Sequence, residues 1–209
     1  MSSHLVLGSA LVLALTTPVV ATAAPGPACQ STKDDKGDVY ALRNAADQKT
    51  PDPALDLVSA DVASNASTLT AVIRVDKLGS PSTAPSGVNY SLTFNVSGSE
   101  LLYYASATRG PAMTGFDFGS RENLPAVTSV STSRGVPAGT FDEGTSEVRI
   151  SVPLTMFGDS VKFVLGKTKV SVVEVFSSRG AAHRGPFADD AAGGKSYVHG
   201  TKNCVVVGK

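Results

Sequence analysis

The sequence predicts an all-β fold, a single antiparallel β-sandwich of jelly-roll or immunoglobulin-like kind, on three observations. Apolar and polar residues alternate in short runs, as at Val88, Tyr90, Leu92, Phe94 and Val96 against Asn89, Ser91, Thr93 and Asn95. Successive strand side chains point to opposite faces, so such a run puts one face on a core and the other in water. Clusters of Gly, Pro, Ser and Asn interrupt the runs at the spacing of about 8 to 12 residues that marks sandwiches and barrels. No window sustains the 3.6-residue apolar period of a helix.

Taken in order, the chain opens with an address. Leu5 to Val20 carries no charge, and Val20-Ala21-Thr22-Ala23 follows with small residues in an A-x-A arrangement. This is the layout of a secretory signal peptide spanning residues 1–23, although His4 is the only basic group ahead of the apolar run. The run of 16 residues, broken by Gly8, Ser9 and Pro18, falls short of the about 20 apolar residues of a membrane-spanning helix. Cleavage after Ala23 would leave 186 of the 209 residues, one domain with a sizeable core. Localisation is expected to be secreted, with no membrane attachment after cleavage.

Residues 24–54 read as a loosely structured, polar N-terminal segment, and 55–209 as the β-sandwich domain. Leu55 to Ala63 is strand-like, but its alternation slips near Val58, which marks a bulge. Leu69 to Val75, Val88 to Val96, Leu101 to Ala107 and Val148 to Val152 alternate cleanly. Phe116–Phe118 and Ala126 to Val130 are weaker strands. Val161 to Leu165 and Val170 to Phe176 are apolar enough for central strands, and Pro153 to Phe157 reads as one helical turn. Segments 76–87, 109–125 and 177–197 read as loops, where binding sites tend to sit.

Charge and cysteine content narrow the function. Eighteen basic residues balance eighteen acidic ones, which argues against nucleic acid or an anionic membrane as partner. Cys29 and Cys204, the only two cysteines, lie near the ends of the mature chain. An even count in an exported protein predicts that they form a disulfide. The Gly26-Pro27-Ala28 that precedes Cys29 lacks the Leu-like residue of a lipid-attachment signal.

The order Lys33-Asp34-Asp35-Lys36-Gly37-Asp38, then Pro53-Ala54-Leu55-Asp56-Leu57, then the late strand Val148 to Pro153-Leu154 resembles secreted bacterial DOMON-like domains. That group includes carbohydrate-binding modules of family nine. The resemblance covers about residues 33 to 176 and implies ligand binding, of sugars in some members and haem in others. The chain departs from both. It has no Trp on which to stack a sugar, and the spacing of Met113, Met156, His183 and His199 singles out no haem-ligand pair.

Catalytic residues are expected to be none. His183 and His199 read as exposed loop residues, no G-x-S-x-G elbow occurs, and the histidines and cysteines match no zinc spacing. Tyr103 and Tyr104 should face opposite ways, while Phe116 and Phe118 share a face and belong to the core. Arg109, Arg121 and Arg134 read as solvated surface. The sequons at Asn65, Asn89 and Asn95 are expected to stay unused in a bacterial host.

Asp34, Asp35 and Asp38 fall within five residues around Gly37, a pattern that suits calcium, which takes six to eight oxygens. No cofactor is expected apart from this calcium, and the other reading of the cluster is a solvated acidic turn ahead of the first strand. If the disulfide closes, Asp189 and Asp190 could approach the same region, although fourteen residues separate Asp190 from Cys204. The function expected is a secreted, non-catalytic binding or interaction domain for a polysaccharide or cell-surface protein, its ligand-binding residues not identifiable from the sequence. The alternatives are a structural or accessory protein acting through a protein partner, and a secreted hydrolase.

Overall fold

The computed structural model describes residues 31–41, 52–79, 87–111, 113–122, 130–159, 161–179 and 187–200. The signal peptide, Cys29, Cys204, His183 and residues 126–129 of the second weak strand lie outside them.

The described chain is built of antiparallel strands in two packed sheets. In chain order these are β1 (Thr32–Lys33), β2 (Tyr40–Ala41), β3 (Leu57–Ser64), β4 (Thr68–Val75), β5 (Val88–Val96), β6 (Leu101–Arg109) and β7 (Thr114–Glu122). They continue with β8 (Ser131–Gly135), β9 (Ala138–Asp142), β10 (Glu147–Pro153), β11 (Lys169–Arg179), β12 (Phe187–Ala192) and β13 (Ser196–Val198). The smaller sheet runs β1-β3-β4-β10-β9, and the larger runs β2-β12-β11-β5-β6-β7-β8 with β13 paired to β11. One 3-10 turn, Leu154–Phe157, follows β10 where the sequence predicts a single helical turn. Among the described residues no helix is long and apolar enough to cross a membrane.

Alternation explains which faces meet. Leu69, Ala71 and Ile73 of β4, Tyr90, Leu92 and Phe94 of β5, and Val148, Ile150 and Val152 of β10 all enter one buried core. The slip near Val58 is a bulge, the β3–β4 register shifting between Leu57 and Ser59. It changes which face the following residues occupy.

Several expectations need correcting. Val161 to Leu165 is not a strand. Thr168 ties this segment into a turn, its hydroxyl accepting from the Val164 N–H (2.8 Å) and donating to the Lys162 carbonyl (3.2 Å). Val164 and Leu165 are left exposed. Segment 109–125 contains β7, which extends the weak strand at Phe116–Phe118 to both sides across Gly115 and Gly119, and 177–197 contains the end of β11, β12 and most of β13. Residues 31–41, read as loose, are two short strands and the turn between them. Arg134 is not a solvated residue: it donates to Ser120 Oγ (2.9 Å) and the Phe157 carbonyl (3.0 Å), with its guanidinium 5.7 Å from the Tyr103 ring centroid. Arg109 and Arg121 pair with Glu143 and Glu174.

Candidate metal centre

The residues between β1 and β2 carry the chain from one sheet to the other. Thr32 and Lys33 pair with Ala60 and Ser59 of the smaller sheet, and Tyr40 and Ala41 pair with Ala188 and Phe187 of the larger. The crossing is held at its start: Ser31 N–H donates to Asp61 Oδ1 (3.0 Å), the Ser31 carbonyl accepts from Lys195 N–H (2.7 Å), and Thr32 Oγ1 donates to the Gly193 carbonyl (2.7 Å). It turns at Gly37, whose φ of +82° is a conformation that glycine adopts without steric cost. The Gly37 N–H donates to both carboxylate oxygens of Asp56, at 3.0 and 2.9 Å. Val39 is fully buried at the far end.

This crossing brings Asp34 and Asp38 to Asp189. One carboxylate oxygen from each of the three lies within 4.8 Å of the others. Asp189 sits on the core-facing side of β12, opposite Ser177 of β11, and is only 2 % exposed. Its Oδ2 accepts from the Leu57 N–H (2.7 Å) and its Oδ1 from the Asp190 N–H (3.0 Å). Asp34 Oδ2 and Asp38 Oδ1 are sealed from solvent and have no hydrogen-bond partner. Asp35, grouped with them by the sequence, is exposed and lies outside the cluster; Asp189 takes its place.

The electrostatics are one-sided. Burial pushes the Asp34 carboxyl up to about 6, with the Asp38, Asp190 and Asp35 carboxylates adding to it against the Asp35 N–H. Burial also pushes Asp189 up to about 7, with Asp34, Asp38 and Asp56 adding to it against the Leu57 N–H. The side-chain charges that act most strongly on these two are other carboxylates. Lys36, the cation within the turn itself, is drawn off to an ion pair with Asp76.

A pH dependence follows. Both groups titrate above their ordinary 3.8, so between pH about 4 and about 7 the folded chain holds more protons than the unfolded one. Their contribution is greatest below that window and is lost as pH rises through it. His199 opposes this, because burial lowers its proton affinity and folding therefore favours its neutral form. Comparing wild type with Asp189→Asn separates the two. In chelator, the urea midpoint of the wild type should fall relative to that of Asp189→Asn between pH about 4.5 and about 8; a rise would contradict the placement of these carboxylates.

A second polar cluster lies at the tip of the β3–β4 hairpin. Ser64 Oγ is 2.6 Å from His199 Nδ1, and the Tyr197 hydroxyl donates to the Ser64 carbonyl (3.1 Å). The sequence places His199 in an exposed loop, yet it is 2 % exposed, edge-on to Phe163 at 5.2 Å between ring centroids. The geometry pins β13 and the turn after it to β3.

The aromatic residues divide as expected. Tyr103 and Phe118 are buried and stack at 6.0 Å, and Phe116 packs against the core, while Tyr104 is on the outer face of the larger sheet. Its hydroxyl donates to Asp117 Oδ2 (3.0 Å), and Asp117 Oδ1 accepts from Ser133 Oγ (2.6 Å). A β-carbon at Gly119 would collide with the Tyr104 hydroxyl and the Thr132 carbonyl oxygen. Gly119 therefore lets the tyrosine lie down across β7.

No family model, curated protein or solved structure matches the chain.

Proposed function

We propose that the protein is an exported, non-catalytic recognition domain that takes a polysaccharide on the outer face of its larger sheet. The observation that carries this reading is Tyr104, laid across Gly119 in a field of hydroxyl and amide side chains. Cross-strand registers put Asn89 beside Thr108 and Ser91 beside Ser106 on the same face as Tyr104. The Asn89 amide donates to Thr108 Oγ1 (3.1 Å), and Ser106 and Thr108 follow Tyr104 on the same face of β6. An aromatic ring with hydrogen-bonding groups around it suits a sugar, which has apolar ring faces and a hydroxyl rim. The leader and the pattern resemblance to secreted sugar-binding sandwiches support the same reading.

Retention on a panel of insoluble polysaccharides is the test. Wild type should be retained by at least one, and Tyr104→Ala should bind it about tenfold more weakly, equivalent to about 1.4 kcal/mol. Retention that survives Tyr104→Ala would move the site off this face. Failure on every polysaccharide, with capture of a cell-surface protein instead, would favour the accessory-protein alternative.

A further inference from the structure

We propose that Asp34, Asp38 and Asp189 hold one calcium ion that fastens the two sheets together along their shared edge. The proposal goes beyond the recognition reading and stands whatever the larger sheet binds.

The three carboxylates come from different elements. Asp34 directly follows β1 of the smaller sheet, Asp38 shortly precedes β2 of the larger, and Asp189 belongs to β12. An ion bound by all three would join a strand edge of each sheet to the strip of chain that crosses between them. Three acidic residues alone are common on protein surfaces and need no ion, but two further observations set this group apart.

First, Asp34 Oδ2 and Asp38 Oδ1 are solvent-sealed acceptors without a donor. A buried carboxylate oxygen left unpaired is costly. The Asp35 N–H acts on the Asp34 carboxyl, and the other N–H groups nearby go to other acceptors: Gly37 to Asp56, and Leu57 and Asp190 to Asp189. A cation would satisfy both oxygens at once. Second, Lys36, the lysine inside the turn, is engaged by Asp76, so the protein brings carboxylates together and directs the neighbouring ammonium away.

The dimensions fit calcium. Two oxygens on opposite sides of a calcium ion lie about 4.8 Å apart at a bond length of about 2.4 Å, whereas magnesium, at about 2.1 Å, draws them to about 4.2 Å. The three oxygens all lie within 4.8 Å of one another, a spacing that calcium spans without rearrangement. Three carboxylates supply part of the six to eight oxygens, and turn carbonyls and water would complete the shell. The expected affinity is that of extracellular calcium modules, with Kd about 10⁻⁴–10⁻³ M, which the export proposed above would keep filled.

The experiment is thermal unfolding of the mature chain in chelator, in calcium and in magnesium, for wild type, Asp38→Asn and Asp189→Asn. A ligand that binds only the folded state raises Tm by mass action, here by about 5–10 °C at calcium 100-fold above Kd. Asp38→Asn should lose most of that increment. In chelator it should melt higher than wild type, because the substitution removes repulsion and keeps the shape. This inversion distinguishes an ion site from a structural hydrogen-bond cluster, where the asparagine variant would melt lower in both solutions. Equal wild-type Tm in calcium and chelator would overturn the proposal, as would a full calcium increment in both variants. An equal increment from magnesium would overturn the assignment to calcium.

Discussion

Phe157→Ala is expected to destabilise the fold by about 3–5 kcal/mol, the range for deleting a large buried aromatic side chain. Phe157 is fully buried although it sits in a 3-10 turn outside the sheets. Its ring lies 4.8 Å from Phe118, 4.9 Å from Tyr103, 4.8 Å from Phe163 and 6.2 Å from Phe94. It is thus the ring through which the larger sheet's aromatics meet the loop that carries Phe163. Alanine would leave a cavity ringed by stiff aromatic side chains, which cannot collapse into it, so the cost should fall high in the range. Arg134 would keep its bond to the residue-157 carbonyl, so lost packing is what the change measures. Urea unfolding should show a lower midpoint with an unchanged slope. A loss below about 1 kcal/mol would mean that the turn is not docked on the core.

Arg74→Met is expected to cost about as much, about 3–5 kcal/mol, for an electrostatic reason. Arg74 of β4 pairs with Asp61 of β3 and, at 2.7 Å, with Glu147 of β10, and Arg149 pairs with the second oxygen of Glu147. Asp61 is 1 % exposed and Glu147 3 %. Removing the shared guanidinium leaves Asp61 with the Ser31 N–H alone, while Glu147 keeps Arg149. An uncompensated buried charge is far more costly than the intact network is stabilising. Adding Asp61→Asn to Arg74→Met should therefore recover part of the loss, giving a favourable coupling energy in a double-mutant cycle. Strictly additive costs would contradict the shared network.

The sequence reveals elements in proportion to how strongly one face of each is buried. β4, β5, β6 and β10 are buried on one side by the opposite sheet and show the alternation plainly. β7 obeys the same rule, with Phe116, Phe118 and Ser120 inward, but Gly115 and the Gly119 on which Tyr104 lies flat leave only Phe116–Phe118 legible, as a weak strand. β8 and β9 are sheet edges made mostly of small residues, with Phe141 the one large apolar side chain in them, so no apolar period shows. The run at Val161 errs the other way: it is apolar because Val161 and Phe163 reach the core from a turn, not because a strand passes through. Hydrophobicity reports burial, and only pairing makes a strand.

The acidic turn is legible in part. Asp34 and Asp38 stand out as a short cluster around a glycine, but nothing local separates them from Asp35, since which of three neighbouring carboxylates turns inward depends on the crossing between the sheets. Asp189 is visible only as a distant acid. Its place follows from β12 pairing with β11 and with β2, contacts that no short-range pattern encodes.

The most direct test is diffraction from crystals of the mature protein grown in millimolar calcium, recorded where calcium scatters anomalously. The account expects one anomalous peak about 2.3–2.6 Å from oxygens of Asp34, Asp38 and Asp189, with the crossing strip ordered between the two sheets. Three carboxylates splayed into solvent with no peak between them, at a calcium concentration well above about 10⁻³ M, would contradict it.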